Sequence, residues 1–216
     1  MAADRAGQIL LYSYWRSSSA YRVRIALNLK GIDYQQKFVH LVKDGGEQNT
    51  PGYRAVNPLG LVPALVHAGR TFVQSMPIIE YLDEVFPQNP LLPLDLAERA
   101  RVRAIAQSIC SEIQPLNNLA VMQYLKTRMQ QPDDAVKEWY AHWVDRGFSA
   151  VEAWLSTSAS GEYCHGDSPG LADCYLVPQV YNAERFSCDL EPYPNIRRIT
   201  ARCRNEDAFV RAAPEN

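Results

Sequence analysis

A chain of 216 residues with 47% hydrophobic, 10% aromatic and 21% charged positions has the balance of a globular protein, which excludes disordered, collagen-like and coiled-coil classes. Its 22 basic and 24 acidic side chains leave a formal net charge of -2, too little positive field to hold a polyanion, so nucleic acid is not expected as the main partner. No run approaches the ~18 consecutive apolar residues of a membrane span. Met1–Tyr14 contains Asp4 and Arg5 and only the short apolar run Ile9, Leu10, Leu11, unlike a secretory leader, so a cytoplasmic protein without membrane attachment is expected. The five cysteines (Cys110, Cys164, Cys174, Cys188, Cys203) are widely spaced with no CxxC, as for reduced thiols, and the four histidines form no HExxH, so no protein-ligated metal is expected.

In chain order, Gln8–Tyr12 predicts a strand, and Ser17–Lys30 carries Val23, Ala26 and Leu27 at helical spacing with Gly31 as its stop. Asp33–Val42 alternates around Tyr34, Phe38 and His40 and predicts a second strand, parallel to the first through a right-handed βαβ crossover. Leu61–Val66 and Arg70–Val73 flank His67-Ala68-Gly69 and predict an antiparallel hairpin. Its first strand starts at or beyond Pro63, because proline cannot donate to a ladder. From Ser75, an N-cap candidate, a proline at position 77 and an apolar stripe through Leu82 predict a helix.

Pro-Gln-Asn-Pro-Leu-Leu-Pro, between Phe86 and Asp95, forbids a helix and marks a domain boundary. The expected division is an α/β unit over 1–87, a linker over 88–94 and an all-helical unit over 95–216. Asp95 with Glu98 resembles a capping box, and Val102, Ile105, Ala106, Ile109 and Ile113 form one face of a long helix that Pro115 should kink or interrupt. Ala135–Leu155 places Trp139, Trp143, Phe148, Val151 and Trp154 at helical intervals, and the three tryptophans are expected in the core. Leu171–Asn182 is apolar enough to be buried on most sides, and Ala212–Asn216 reads as a frayed tail.

Three segments carry chemistry. In Arg16-Ser17-Ser18-Ser19-Ala20-Tyr21-Arg22, three hydroxyls stand where a strand ends and a helix begins, so open backbone N–H groups, the positive helix end and O–H donors suit an anion. The competing account, an ordinary serine N-cap, explains one serine but not three flanked by Arg16 and Arg22. In Asn57-Pro58-Leu59-Gly60-Leu61-Val62-Pro63-Ala64, a proline entering an edge strand is either trans, as most are, or cis, a form that turns the preceding backbone toward an extended peptide ligand. In Val73-Gln74-Ser75-Met76-Pro77, Ser75 can cap a second helix and also donate to a carboxylate, and Gln74 offers an amide. Two helix starts at one sheet edge make a divided site for a ligand that is acidic at one end and reactive at the other.

The order βαβ, ββα, proline-rich linker and helical unit, with SSSAYRVRIALNLKG, VPALV, VQS, IQPLNNLAV, LADCYLVPQV and NAERF, resembles the cytosolic glutathione transferases over nearly the whole chain. It most resembles their zeta class, the maleylacetoacetate isomerase family. The resemblance implies a thioredoxin-like N-terminal domain, an all-α C-terminal domain, glutathione as cofactor and a homodimer. It also implies glutathione-dependent cis–trans isomerisation of a maleyl keto acid, maleylacetoacetate first and maleylpyruvate as the alternative. A general conjugating transferase and a non-catalytic interaction protein on the same fold are further readings, the last expecting loss of the serine donor.

By the same resemblance, Ser17 matches the serine that donates to the glutathione sulfur, with Ser18, Ser19 and the first-turn N–H groups beside it. Val62 matches the backbone that pairs with the cysteinyl part, Gln74 and Ser75 the γ-glutamyl clamp, and Gln48 a loop residue near the glycyl end. Gln114 and Asn118 match residues that approach glutathione from the helical half. Substrates of this kind carry two carboxylates, for which bidentate guanidinium is the natural partner, so Arg16, Arg185 of NAERF and, less directly, Arg22 are substrate-clamp candidates. Ser19 occupies the position of the family's cysteine and Tyr21 that of its Trp or His; Ser19 cannot act as a second thiol.

Overall fold

A computed structural model describes residues 7–214, which fall into two units: one comprises residues as far as Leu91 together with those from Asp207 onward, the other Leu92–Glu206. The first unit opens with β1 (Leu10–Ser13), whose alternating burial sends Leu11 and Ser13 inward. Ser17 then caps α1 (Ser18–Leu29): its extended backbone and its side-chain oxygen, 3.2 Å from the Ala20 N–H, satisfy one of the orphan donors of the first turn. The helix stops where the sequence predicts. Gly31 adopts φ 66, and the N–H groups of Gly31 and Ile32 return to the carbonyls of Asn28 and Leu27, closing a Schellman turn.

β2 (Gln35–Phe38) lies parallel to β1, with Leu10 opposite Gln35 and Ser13 opposite Phe38. It is shorter than the predicted 33–42 because the chain turns away after Val39: the His40 ring nitrogen Nδ1 accepts from the N–H groups of Val42 and Lys43, ending the extended run. A short α2 (Pro51–Arg54) follows, capped by Thr50. β3 (Ala64–His67) and β4 (Arg70–Val73) form the predicted antiparallel hairpin. Its two-residue turn, Ala68 at φ 49 and Gly69 at φ 71, has the positive dihedrals that match strand twist. The sheet order is β2-β1-β3-β4, and α3 (Ser75–Val85) completes the ββα half.

Polar pins hold this unit where apolar packing alone would leave its parts free to slide. The buried Lys30 ammonium lies 2.7 Å from the Asp83 carboxylate and also donates to the carbonyls of Gln88 and Asn89, tying the end of α1 to α3 and the proline-rich segment. The last helix, α9 (Asp207–Ala212), belongs here and not with the helical half to which its position in sequence assigned it. Asn28 donates to the Ala208 carbonyl and Arg24 to that of Ala212, each at 2.9 Å. Ala212, expected in a frayed tail, is 0% exposed. A short Ala- and Phe-bearing helix becomes stable because α1 supplies donors for one carbonyl in its first turn and for its last. Residues 215 and 216, the end of that expected tail, lie outside the described residues.

In the second unit, Asp95 caps α4 (Leu96–Gln107) by accepting from the N–H groups of Ala97 and Glu98. The predicted stripe from Val102 to Ile113 is buried throughout. The expected interruption is a π-helical turn over Ser108–Ile113, in which the Gln114 N–H reaches the Ile109 carbonyl. Pro115 cannot continue the ladder, and the widened turn absorbs the mismatch just before it. α5 (Leu119–Thr127) is capped by Asn118, and α6 (Asp133–Leu155) buries Val136, Tyr140, Val144, Phe148, Val151 and Leu155.

That stripe corrects the expectation for the tryptophans: Trp139 and Trp143 are half-buried and Trp154 is 39% exposed. They flank the apolar seam, where the indole N–H of Trp139 can reach the Leu116 carbonyl at 2.9 Å, a partner a fully apolar core would lack. α7 (Leu171–Arg185) is buried on nearly every side, as predicted, and α8 (Pro194–Cys203) begins on the Glu152 carboxylate, which accepts from the N–H groups of Asn195 and Ile196.

Asp173, in the first turn of α7, is fully buried, and its oxygens accept from the N–H groups of Cys164 and Gly170 at 2.9 Å each. Burial raises its carboxyl pKa, against which these donors act. Asp173→Ala would leave two buried donors without acceptors and is expected to lower stability by about 2–4 kcal/mol, and Asp173→Asn by roughly half as much. Urea unfolding of the variants measures both, and an Ala variant within ~0.5 kcal/mol of the parent would contradict this account.

Candidate active site

Antiparallel register decides where the site lies. Tyr12 of β1 stands opposite Ala64 of β3, and Ala64 opposite Val73 of β4, so the end of β1, the start of β3 and the end of β4 share one edge of the sheet. Residues 14–19, 61–63 and 74–75 leave or enter the strands at that edge, and α1 and α3 both begin there. Two helix N-termini consequently present their open N–H groups beside one extended segment.

Ser17, half-buried, accepts from Ala20 through Oγ, and among the described residues its own O–H is not engaged by an acceptor. Capping and donation thus coexist in one hydroxyl, which has lone pairs for the helix and a proton to spare. Ser18 and Ser19 occupy the first two helical positions, and their N–H groups have no intrahelical acceptor. Behind them, the buried Arg24 guanidinium donates to Ser13 Oγ at 3.1 Å and to the Trp15 carbonyl at 3.1 Å, bracing the turn that delivers Ser17. Arg16 is half-buried, with its guanidinium carbon 4.4 Å from the centre of the Trp15 ring, an arrangement that keeps the N–H edge of the group available.

Two expectations change at the second helix start. Ser75 is not the cap: Gln74 holds that position without a side-chain cap bond, and Ser75 is the first helical residue. Arg22 does not face a ligand. It is 1% exposed and donates through Nη1 to Ser75 Oγ at 3.3 Å, so it acts on the site through Ser75. Sequence reading missed this because helical spacing does not reveal that Arg22 lies on the face of α1 turned toward α3.

Val62 is buried, and the Val62–Pro63 bond, left open by the sequence, is cis. The preceding Leu61 carbonyl accepts from Tyr53 Oη and Asn57 Nδ2, two residues the sequence reading did not nominate. Gln48, expected to approach a ligand, folds back so that its amide donates to the Leu41 carbonyl at 3.1 Å, leaving its buried Oε1 without a partner among the described residues. The remaining candidates belong to the second unit. Gln114 is half-buried at the end of the π-helical turn, Asn118 accepts from the Ala120 N–H, and Arg185 is exposed at the end of α7, 3.3 Å from Asn182 Oδ1 and beside the rings of Tyr181 and Phe186.

Three of the chain's own thiols are held protonated. Burial pushes Cys164 and Cys203 well above the ordinary thiol range, the Asp173 carboxylate adding to it, and burial alone pushes Cys188 up to about 11. Among the described residues, no three His, Cys, Asp or Glu side chains gather as a metal site, and no helix is long and apolar enough to cross a membrane.

Comparison with known proteins accounts for this arrangement. Residues 16–85 match the glutathione S-transferase N-terminal domain, and residues 118–207 match the C-terminal domain of the same family. The chain is 53% identical over 209 residues to a protein of Drosophila melanogaster named probable maleylacetoacetate isomerase 2, covering 97% of this chain and 89% of the relative. A holo structure of maleylpyruvate isomerase, described as a bacterial glutathione S-transferase of the zeta class, superposes with a TM-score of 0.92 at 46% identity, covering 95% of this chain and 96% of that one. A structure of maleylacetoacetate isomerase from Anaeromyxobacter dehalogenans 2CP-1, with dicarboxyethyl glutathione and citrate in its active site, superposes with a TM-score of 0.84 at 43% identity, covering 96% of this chain and 95% of that one. The fold is that of a thiol-peptide transferase. The chain belongs to the glutathione S-transferase family, among its zeta-class members.

Gln74 holds φ 69 and ψ 130, a left-handed backbone uncommon outside glycine, while its carbonyl accepts from the Ile78 N–H and its side chain is exposed. Backbone strain at a residue expected to serve the ligand predicts opposed effects of Gln74→Gly. Stability should rise by up to ~1 kcal/mol as strain is relieved, while affinity for glutathione should fall about tenfold with loss of the amide. Thermal unfolding and calorimetric titration measure the two, and an increase in both would show that Gln74 does not serve the ligand.

Proposed function

We propose that this protein is a glutathione-dependent cis–trans isomerase of maleyl keto acids and that its substrate is maleylacetoacetate. The observation that carries the proposal is the Ser17 hydroxyl over the start of α1, with a proton to spare beside the open N–H groups of Ser18 and Ser19. A thiol with a free pKa near ~8.5 is only a few per cent ionised at neutrality, and three donors plus a helix N-terminus favour the anion. The residues also fit the rest of an acidic peptide: Val62 offers a backbone N–H that no backbone acceptor takes among the described residues, and Gln74 and Ser75 lie at the second helix start.

Bound glutathione supplies a thiolate that adds reversibly to the cis double bond, so that the carbon–carbon bond can rotate and be restored as trans when sulfur leaves. Ser17 holds the charge on sulfur before addition and after elimination; Ser19, a hydroxyl, contributes polarity and no second thiol. Arg16 and Arg185 are each proposed as a guanidinium partner for a substrate carboxylate, a chemistry that favours acidic substrates over apolar electrophiles. The dicarboxyethyl glutathione and citrate held by the related isomerase support a carboxylate-bearing ligand here. Maleylpyruvate is the second reading, favoured by the similarity to the zeta-class maleylpyruvate isomerase. A cytoplasmic homodimer belongs to the same proposal, supported by family likeness and five free cysteines.

Purified protein with glutathione should convert maleylacetoacetate to its trans isomer faster than maleylpyruvate. Conjugation of chlorinated aromatics without isomerisation of either acid would overturn the proposal. Ser17→Ala is expected to lower kcat/KM about 10–100-fold and to move the governing ionisation up toward ~8.5, so the loss shrinks as pH rises. A pH profile that keeps the parent's midpoint would remove Ser17 from its role. Arg185→Met should lower kcat/KM for the dicarboxylate roughly 10–100-fold while leaving the Kd for glutathione unchanged, and a negligible effect on isomerisation would withdraw that assignment.

A further inference from the structure

We propose that Tyr53 and Asn57 are positioning residues for glutathione: together they clamp the Leu61 carbonyl and thereby orient the peptide plane that presents the Val62 N–H. The inference rests on the reading that the Val62 backbone pairs with glutathione.

Tyr53 Oη and Asn57 Nδ2 each donate to the Leu61 oxygen at 2.7 Å, occupying both of its acceptor positions. Neither donor can swing away easily. Tyr53 is 6% exposed, packs with Tyr14, Val39 and Val62, and meets Tyr12 edge-on at 5.7 Å. Asn57 is 2% exposed, and its Oδ1 accepts from the Leu59 N–H at 3.1 Å, which fixes the amide so that its NH2 faces Leu61. Its main chain is held as well, since its N–H reaches the Tyr53 carbonyl and its own carbonyl accepts from Gly60.

The Leu61–Val62 peptide is planar and trans, so its C=O and N–H point in opposite directions. Two donors gripping the carbonyl therefore aim the N–H the other way, and among the described residues no backbone acceptor takes it. Burial, with Tyr12 adding to it, also pushes the Tyr53 phenol well above its ordinary range, so the donor persists at any working pH. A loop that must offer one N–H to a peptide ligand gains from being set before the ligand arrives, because orientation then costs nothing on binding.

The test combines Tyr53→Phe, which removes one donor and keeps the ring, with Asn57→Asp, which keeps the acceptor for Leu59 and turns the Leu61-facing donor into an acceptor. Calorimetric titration with glutathione, steady-state kinetics and hydrogen exchange at the Val62 amide are the readouts. In the parent, saturating glutathione should slow exchange at Val62 at least about tenfold. Tyr53→Phe should raise the Kd and the KM for glutathione about fivefold with kcat falling less than twofold, and the double variant should raise them further. Unprotected Val62 in the parent would remove the pairing reading and the inference with it. Protected Val62 with Tyr53→Phe binding glutathione within twofold of the parent would overturn the clamp alone. So would a fall in kcat at unchanged KM, which marks a merely structural role. Should Asn57→Asp fail to fold, Tyr53→Phe decides by itself.

Discussion

The pairing of Tyr12 with Ala64 and of Ala64 with Val73 brings two helix N-termini and an extended backbone to one sheet edge, and the chemistry of the site depends on that arrangement. A one-residue slip would reverse the faces of the β3 side chains and displace the cis proline segment from the start of α1. Because the donors at the edge are mostly backbone N–H groups held by helices and a short loop, they are oriented before any ligand arrives.

Charge placement follows the same plan. Arg24 and Arg22 are interior groups: one braces the Ser13–Trp15 turn and the other backs Ser75, so positive charge lies behind both donors. Arg16 is half-buried and Arg185 exposed, so neither is an interior group of this kind. Raised pKa values keep Cys164, Cys188 and Cys203 protonated, which suits an enzyme whose reactive sulfur arrives on a cofactor.

The helical unit solves a different problem. Its long helices bury apolar stripes, but their ends need partners, and single side chains from distant elements provide them. Arg101 reaches the carbonyls of Trp154 and Cys164, Glu152 receives the start of α8, and Asp173 receives the N–H groups of Cys164 and Gly170. Such pins cost desolvation and return geometric definition, holding α4, α6, α7 and α8 of this unit in one arrangement.

Much of this was legible from residue order, because periodicity, caps and breakers act over a few residues. The helix start in the serine cluster, the Gly31 stop, the hairpin across His67-Ala68-Gly69 and the Asp95 cap are all local, and each formed within the segment the pattern indicated, His67 itself pairing as the last residue of β3. The serine cluster at a strand-to-helix junction likewise marked the candidate site without tertiary information. What lay beyond reach were contacts between residues far apart in sequence. That Arg22 faces Ser75, that Ala212 docks on Arg24, that Trp154 falls outside the apolar seam and that Tyr53 and Asn57 grip Leu61 all depend on which faces meet once helices and strands pack. Side-chain spacing sets the shape of one element, whereas the direction of a buried polar group is chosen by the partner that satisfies it, and that partner exists only in the folded chain.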